Sequence, residues 1–372
     1  GSCAPWALRL AVGDVEHAGR VSGRLYAIST VGSLTGTMLA ALVLIPLLGT
    51  QRTFLVFAFA LAVVATAGLG WRFVALPLLL AGAIALPVGT VKAVEEGKIL
   101  YEDESEEQYI RVSEQPDGDR ILELNEGHAV HSILPERGYL TADYWDSFLV
   151  LPFAGADRPP SRIAILGNAA GTIARQYGHF WPRTHVDAVE IDAELTDVGY
   201  RYFDMGSAPR LSVYHDDARP WLRASDDKYG LIVVDAYRQP YIPFYLVTKE
   251  FFELARDHLA PGGIVAVNVG HPEGDDDFEQ VLGRTMADVF PTVLRDPAEQ
   301  TNSLLIGGGP EVSATRLDHA ASTRLHGNLQ DLARIDAARL APRLPGGSVY
   351  TDDRAPVEWL VDRSILGYAE GQ

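Results

Sequence analysis

The chain has 372 residues, enough for one large domain or two ordinary ones, and its 31 Lys and Arg stand against 49 Asp and Glu, a formal net charge of −18. Phosphate backbones repel so acidic a surface, which excludes a nucleic-acid partner. The one cysteine, Cys3, excludes an intramolecular disulfide framework and any multi-cysteine zinc or iron–sulfur centre.

The first residues, Gly1-Ser2, carry no methionine and read as a cloning scar or a truncated parent. Residues 1–24 hold Arg9, Asp14, Glu16, Arg20 and Arg24 and lack the cleavage pattern of a signal peptide, so they are assigned as a juxtamembrane segment. From Leu25 to Val91 the only charges are Arg52 and Arg72. Three transmembrane helices are predicted there, Leu25–Gly49, Thr53–Trp71 and Phe73–Val91, each near the roughly 20 residues a bilayer core requires. Gly32 and Gly36 form a GxxxG pair that suits generic packing within a bundle or, alternatively, a homodimer face. No Asp, Glu, Lys or His lies in the spans, which argues against an ion path. Lys and Arg are distributed too evenly around the spans to orient them by the positive-inside rule.

An acidic run, Glu95 to Glu107, opens a small β-hairpin unit over residues 92–150. Strands are predicted around Tyr109–Val112 and Arg120–Leu124, joined by the turn Gln115-Pro116-Asp117-Gly118. Over 151–310 the apolar runs Ile163–Leu166, Val186–Ile191, Leu231–Val234 and Ile264–Val269 alternate with helical stretches. That is the pattern of an α/β fold, a Rossmann-like doubly wound sheet of the class I methyltransferase type. Residues 311–372 read as a C-terminal helical extension.

Leu166-Gly167-Asn168-Ala169-Ala170-Gly171-Thr172 follows a strand and opens a helix, where small residues let a nucleoside-bearing ligand approach the backbone. Glu190 ends the next strand, 23 positions after Gly167, about where such folds place the acid that grips ribose hydroxyls. Asp217 and Asp235 stand at further strand ends, on the edge where ligands bind. The loop Tyr237 to Tyr245 after Asp235 is aromatic and proline-rich, suited to a pocket wall. His128 and His131 lack a metal-ligand spacing, so no metal is expected. The absence of Gly-x-Ser-x-Gly removes the serine-hydrolase reading.

Taken in order, these residues resemble the spermidine synthase family, in its membrane-embedded bacterial branch. Glu104 to Ile110 is similar to the family's Glu-Ser-x-Tyr-Gln-x-Ile, and Leu124-Asn125-Glu126-Gly127 to its Leu-Asp-Gly segment. Tyr144-Trp145-Asp146 stands at its Tyr-His-Glu, and Leu246 to Phe252 matches a helix start. The tail Thr351 to Glu358 adds to the likeness.

The resemblance implies transfer of an aminopropyl group from decarboxylated S-adenosylmethionine to a small-molecule amine, releasing methylthioadenosine. By the same carry-over, Asp235 positions the ammonium and takes a proton, with Tyr237 beside it in the acceptor site. Gln108, Gly167, Asn168, Gly171, Glu190 and Asp217 hold the donor, Glu190 at the ribose and Asp217 at the adenine amino group. Glu126 and Asp146 line the acceptor site. The donor pool is cytosolic, so a multi-pass protein among membrane lipids with its catalytic domain in the cytoplasm is expected.

Ala169 or Ala170 stands where the family's loop carries an aspartate, and Arg238 or Gln239 where it carries a second acid. An arginine in the pocket would favour a carboxylate-bearing ligand. Methyl transfer from ordinary S-adenosylmethionine is therefore the alternative, with a non-catalytic nucleoside-sensing membrane protein and a degenerate domain behind it.

Overall fold

The computed structural model describes residues 3–12, 18–86, 96–125, 129–238 and 241–370. The chain divides into two compact units, one of residues 1–93 with 104–107 and one of 94–103 with 108–372.

In the first unit the helices are α1 (Cys3–Ala11), α2 (Ala18–Leu39), α3 (Ile45–Leu69) and α4 (Ala75–Ala85), with a π-helical turn, Ala40–Leu44, joining α2 to α3. The whole run Ala18–Leu69 is long and apolar enough to cross a membrane by length and composition. Gly49, at φ +76° and ψ 167°, leaves the helical region inside it. Glycine permits this conformation because it has no β-carbon to clash at positive φ. A second glycine, Gly70 at φ +106°, ends α3. The third predicted span is described as α4 alone, 11 residues, about 16 Å of helix; residues 87–95 lie outside the described residues. No described atom lies within 4 Å of where a β-carbon on Gly32 or Gly36 would sit, so among the described residues this small-residue face is open.

The second unit begins with a four-stranded sheet in the order β1 (Lys98–Glu104), β2 (Tyr109–Glu114), β3 (Arg120–Leu124), β4 (Val130–Leu134). β2 pairs antiparallel with β3, and β3 with β4. The turn between β2 and β3 closes through the Gly118 N–H to the Gln115 carbonyl, with Gly118 at φ +94°. Two 3-10 turns follow, Tyr144–Leu149 and Leu151–Ala154, both buried.

The large sheet contains β5 (Arg162–Leu166), β6 (His185–Val189), β7 (Leu211–Tyr214), β8 (Tyr229–Val234), β9 (Leu259–Gly270), β10 (Thr292–Asp296), β11 (Asn302–Gly308) and β12 (Ala341–Pro342). Its helices are α5 (Thr172–Phe180), α6 (Ala193–Tyr202), α7 (Ala218–Ala224), α8 (Lys249–Asp257), α9 (Asp277–Ala287), α10 (Ala314–Thr323), α11 (Asn328–Arg339) and α12 (Val357–Glu370). Spatial order is β12-β10-β11-β9-β8-β5-β6-β7. The five strands β7, β6, β5, β8 and β9 are parallel, while β11 runs antiparallel to β9 and β10 antiparallel to β11. The sheet is thus mixed rather than wholly parallel, and the C-terminal stretch adds β12 to it as well as three helices.

Strand alternation explains the core. Ile163, Ile165, Leu231 and Val233 pack into one apolar cluster, whereas Ala164, Leu166, Ile232 and Val234 pack into a second. Successive side chains point to opposite faces of a strand, so the central strands are covered on both sides, as the near-continuous apolar runs of a parallel sheet require. The strand order reverses between β5 and β8, and in open α/β sheets the crevice at that switch point, beyond the carboxyl ends of the strands, is where ligands bind.

Candidate active site

β5 ends at Leu166 and β8 at Val234, so Gly167 and Asp235 leave neighbouring strands at the same edge. A β-carbon on Gly167 would stand 2.5 Å from both the Ala236 Cα and the Asp235 carbonyl oxygen, and Gly167 is at φ +91°. Only glycine lets the two chains approach so closely. The loop then turns through Ala169, at φ +45°, and Gly171, where a β-carbon would run into the Met205 side chain at 2.6 Å. The Ala170 N–H donates to the Ser132 hydroxyl at 3.0 Å, and the Ile133 N–H to the Thr172 hydroxyl at 2.9 Å, which fastens β4 to the loop.

A cavity of about 470 Å³ opens at this edge. Among its lining residues are Asp143, Tyr144, Trp145, Asp235, Asn268 and Glu299. The Asp235 carboxylate accepts from the Asn268 amide at 2.8 Å, from the Trp145 indole N–H at 3.2 Å and from the Tyr144 hydroxyl at 3.2 Å and 3.4 Å to its two oxygens. Asn268 is itself oriented, because its side-chain oxygen accepts from the Asn302 amide at 2.8 Å. Burial pushes the Asp235 carboxyl up to about 6, against the three donors, which each lower it. The group is therefore a carboxylate at neutral pH with a pKa close enough to serve as a base.

Tyr237 is locked beside it: its hydroxyl donates to the Asn268 carbonyl at 3.1 Å and accepts the Gly270 N–H at 2.6 Å. Burial raises its phenol well above the usual range, so it stays neutral.

A second acidic group faces the same cavity. Asp143 is in hydrogen-bond contact with Glu299, and burial together with that neighbouring carboxyl pushes Asp143 up to about 8. Asp143 therefore keeps its proton at neutral pH, since a second negative charge beside the Glu299 carboxyl is disfavoured. The Tyr144 N–H is directed at both, 2.7 Å from Asp143 and 3.1 Å from Glu299. No Lys or Arg belongs to the cavity's described lining.

The residues singled out from the sequence separate. Asp235, Tyr237, Gly167 and Asn168 line the cavity, and Gly171 forms the base of the loop. Glu190 lies behind that loop, accepting the Ala169 N–H at 2.8 Å and the Asp192 N–H at 3.1 Å, and burial pushes it up to about 7. Gln108 donates to Asp192 at 3.1 Å. Asp217 caps α7 through the Arg219 N–H at 3.0 Å and accepts the Tyr245 hydroxyl at 2.7 Å. None of these three carboxylate or amide groups lines the cavity.

Asp146 is not among the lining residues of this cavity: its carboxylate is taken up by the N–H groups of Thr141 and Ala142, the Thr141 hydroxyl and Gln176. Glu126 and Gln239 lie outside the described residues. Arg238 is not among the described lining residues of this cavity.

Sequence reasoning missed Asn268, Asp143 and Glu299 as cavity residues. A carboxamide inside the apolar run Val267-Asn268-Val269 was the available signal for the first. Nothing in the sequence brings Asp143 and Glu299 together.

Residues 149–298 match the spermine/spermidine synthase domain family. A probable polyamine aminopropyl transferase of Bifidobacterium longum is 34% identical over 285 residues, 71% of this chain and 63% of that protein. The polyamine aminopropyltransferase of Vibrio vulnificus is 28% identical over 150 residues, 40% of this chain and 50% of that one. The chain thus spans less than two thirds of the length of either relative. A probable spermidine synthase of Corynebacterium glutamicum superposes with a TM-score of 0.52 at 24% identity, covering 68% of this chain and 98% of that structure. A spermidine synthase solved with the transition-state analogue AdoDATO gives 0.52 at 18% identity, covering 65% and 85%. At that identity the two structures speak to the fold, which is the same mixed α/β architecture. Residues 149–298, which supply Asp235, Asn268 and the glycine loop, are the part of the chain that matches the spermine/spermidine synthase domain family.

Proposed function

We propose that the protein is a membrane-anchored aminopropyltransferase that moves the aminopropyl group of decarboxylated S-adenosylmethionine to an amine. The observation that carries this reading is Asp235, held by three donors at the switch point and facing a cavity whose described lining holds carboxyl groups and neither Lys nor Arg. Such a cavity suits a cationic acceptor, and methyl transfer from ordinary S-adenosylmethionine remains the second reading.

In this mechanism the acceptor ammonium is drawn to Asp235 and gives it a proton. The freed nitrogen lone pair attacks the carbon beside the sulfonium in line with the carbon–sulfur bond. That bond's electrons return to sulfur, leaving neutral methylthioadenosine. Gly167, Asn168 and Gly171 would let the nucleoside lie against the loop, Glu190 would take the ribose hydroxyls on releasing Ala169, and Gln108 and Asp217 would border the donor. Tyr237 would close the acceptor side. Proximity and orientation supply much of the acceleration.

The apolar helices would hold the protein in the membrane as a multi-pass bundle with the catalytic domain in the cytoplasm, beside the donor pool. Cysteine labelling from each side checks that placement. The activity itself is tested by mass spectrometry of the detergent-solubilised chain with a panel of amines and either donor. Methylthioadenosine that depends on both the decarboxylated donor and an amine supports the reading. S-adenosylhomocysteine from the ordinary donor would replace it with methyl transfer, and no product from either would leave a nucleoside-binding protein without chemistry.

A further inference from the structure

The buried carboxylate of Asp146 has no role in the mechanism above, yet it is among the most heavily hydrogen-bonded side chains in the catalytic domain. Only 4% of its surface is exposed. It accepts the Thr141 N–H at 2.9 Å, the Thr141 hydroxyl at 2.9 Å, the Ala142 N–H at 2.9 Å and the Gln176 side-chain amide at 2.5 Å. Ala142 is in the left-handed region at φ +60°, a conformation a non-glycine residue keeps only where its surroundings hold it. Gln176 is fully buried on α5 and donates a second bond to the Tyr139 carbonyl at 3.1 Å. α5 starts at Thr172, with Gly171 of the glycine loop as its N-cap. Asp146 also shares one 3-10 turn with Tyr144 and Trp145, the two residues that donate to Asp235. One carboxylate therefore joins the helix behind the glycine loop to the turn that holds the acid.

We propose that Asp146 is a positioning residue for Asp235. It pins the Thr141–Ala142 turn to Gln176 and so fixes the direction in which Tyr144 and Trp145 present their O–H and N–H to the acid. The inference rests on the aminopropyltransferase reading for its assay, and on the hydrogen-bond geometry for its content.

The test is the pH dependence of kcat/KM for the full chain in detergent, for Asp146→Asn and for Gln176→Ala. In Asp146→Asn one acceptor oxygen becomes an NH₂ group that faces N–H donors, so the turn loosens and both donors to Asp235 drift. The donors hold the Asp235 carboxyl down, so their loosening moves the acid limb of the profile upward, by about one pH unit. kcat falls roughly tenfold to a hundredfold, with the KM for the donor within about twofold of the parent. Gln176→Ala leaves the carboxylate in place and gives a smaller shift of the same sign, which keeps the test open if Asp146→Asn fails to fold.

The other ionisable groups around the two acids, among the described residues, are Asp143, Tyr144, Arg175, Tyr237, Asp336 and, across the cavity, Glu299, His131 and His271. They are unchanged in both variants except for Tyr144, whose bond is the one measured. A loss of turnover with an unmoved acid limb, or parental kinetics in both variants, overturns the inference. Asp235→Asn, run alongside, separates the failures: if it retains parental turnover the mechanism itself is wrong, and if it is inactive while the acid limb of the Asp146 and Gln176 variants stays put, only the role of Asp146 is.

Discussion

Gly167 and Ala236 leave adjacent strands so close together that a β-carbon on the first would lie 2.5 Å from the α-carbon of the second. Real non-bonded carbons do not approach to that distance, so the contact itself fixes the residue type. Gly167→Ala must push β5 and β8 apart at the point where the cavity opens, and must also hold alanine at φ +91°. A loss of about 2–3 kcal/mol of stability is expected, together with a raised KM for the donor. A thermal melt within a degree of the parent would show that the edge is softer than the geometry implies.

For Asp235 the expected loss of turnover on conversion to asparagine is about 10²- to 10⁴-fold, with binding of the donor preserved. If Asp235 acts as the proposed base, kcat/KM of the parent falls as pH drops through about 6, because the carboxylate would be the active form and burial has raised its pKa to that value. A profile flat between pH 5 and 8 would contradict the role of Asp235 as base.

Glu299→Gln removes the carboxyl that raises Asp143. An acceptor ammonium that reaches this end of the cavity then loses one charge partner, so the KM for the amine should rise about tenfold while the KM for the donor holds. Stability changes in a predictable sense too. Asp143 has a folded-state pKa of about 8, above its usual carboxylate value, so the folded chain binds its proton more tightly than the unfolded chain. That stabilisation is complete in acid and is lost as pH rises toward about 8. The variant should therefore show a flatter dependence of Tm on pH between roughly 4 and 8. Parallel curves for the two proteins would mean that the Glu299 carboxyl does not raise Asp143.

Asp352, from the C-terminal tail, makes a bidentate pair with Arg219 at 2.7 Å on both bonds and accepts the Thr248 hydroxyl at 2.7 Å. Arg219 also donates to the Tyr245 carbonyl at 3.0 Å, so the tail braces α7 and the aromatic loop after Asp235. Asp352→Asn should cost about 1 kcal/mol, since the carboxylate is partly solvated. The pair holds the Asp352 carboxyl below its usual range, so the contribution is present at neutral pH and disappears in acid as the group protonates. Melts that differ by the same amount at every pH would assign the effect to packing instead.

The order of strand, glycine loop, strand and acid was legible because each signal is local. Ile163 to Leu166 reads as a buried strand from its apolar run, and Gly167 reads as a tight turn from its neighbours. The antiparallel pair β10 and β11 was not legible, because its polar positions, Arg295 and Asp296 among them, are satisfied by partners distant in sequence, Glu279 and Arg339. The same limit applies at the site. Asp146 sits at a motif position that suggests a ligand contact, but the groups that consume its oxygens come from the preceding turn and from α5, and no spacing reveals them. Asn268 was hidden differently: it lies inside an apolar strand run, where its partners Asp235 and Asn302 are adjacent only in the folded sheet.

The three donors around Asp235 also limit how many hydrogens a substrate can offer it. An ionised carboxylate has about four lone-pair directions, and Asn268, Trp145 and Tyr144 already occupy most of them. In the proposed reaction an incoming ammonium would therefore be gripped through one N–H, the one aimed along the remaining direction. Once that hydrogen had passed to the acid, the contact that recruited the amine would have reversed its polarity, and the alkylated product would be held less firmly than the substrate was. The crowding around one carboxylate would thus set both which hydrogen leaves and how readily the site clears.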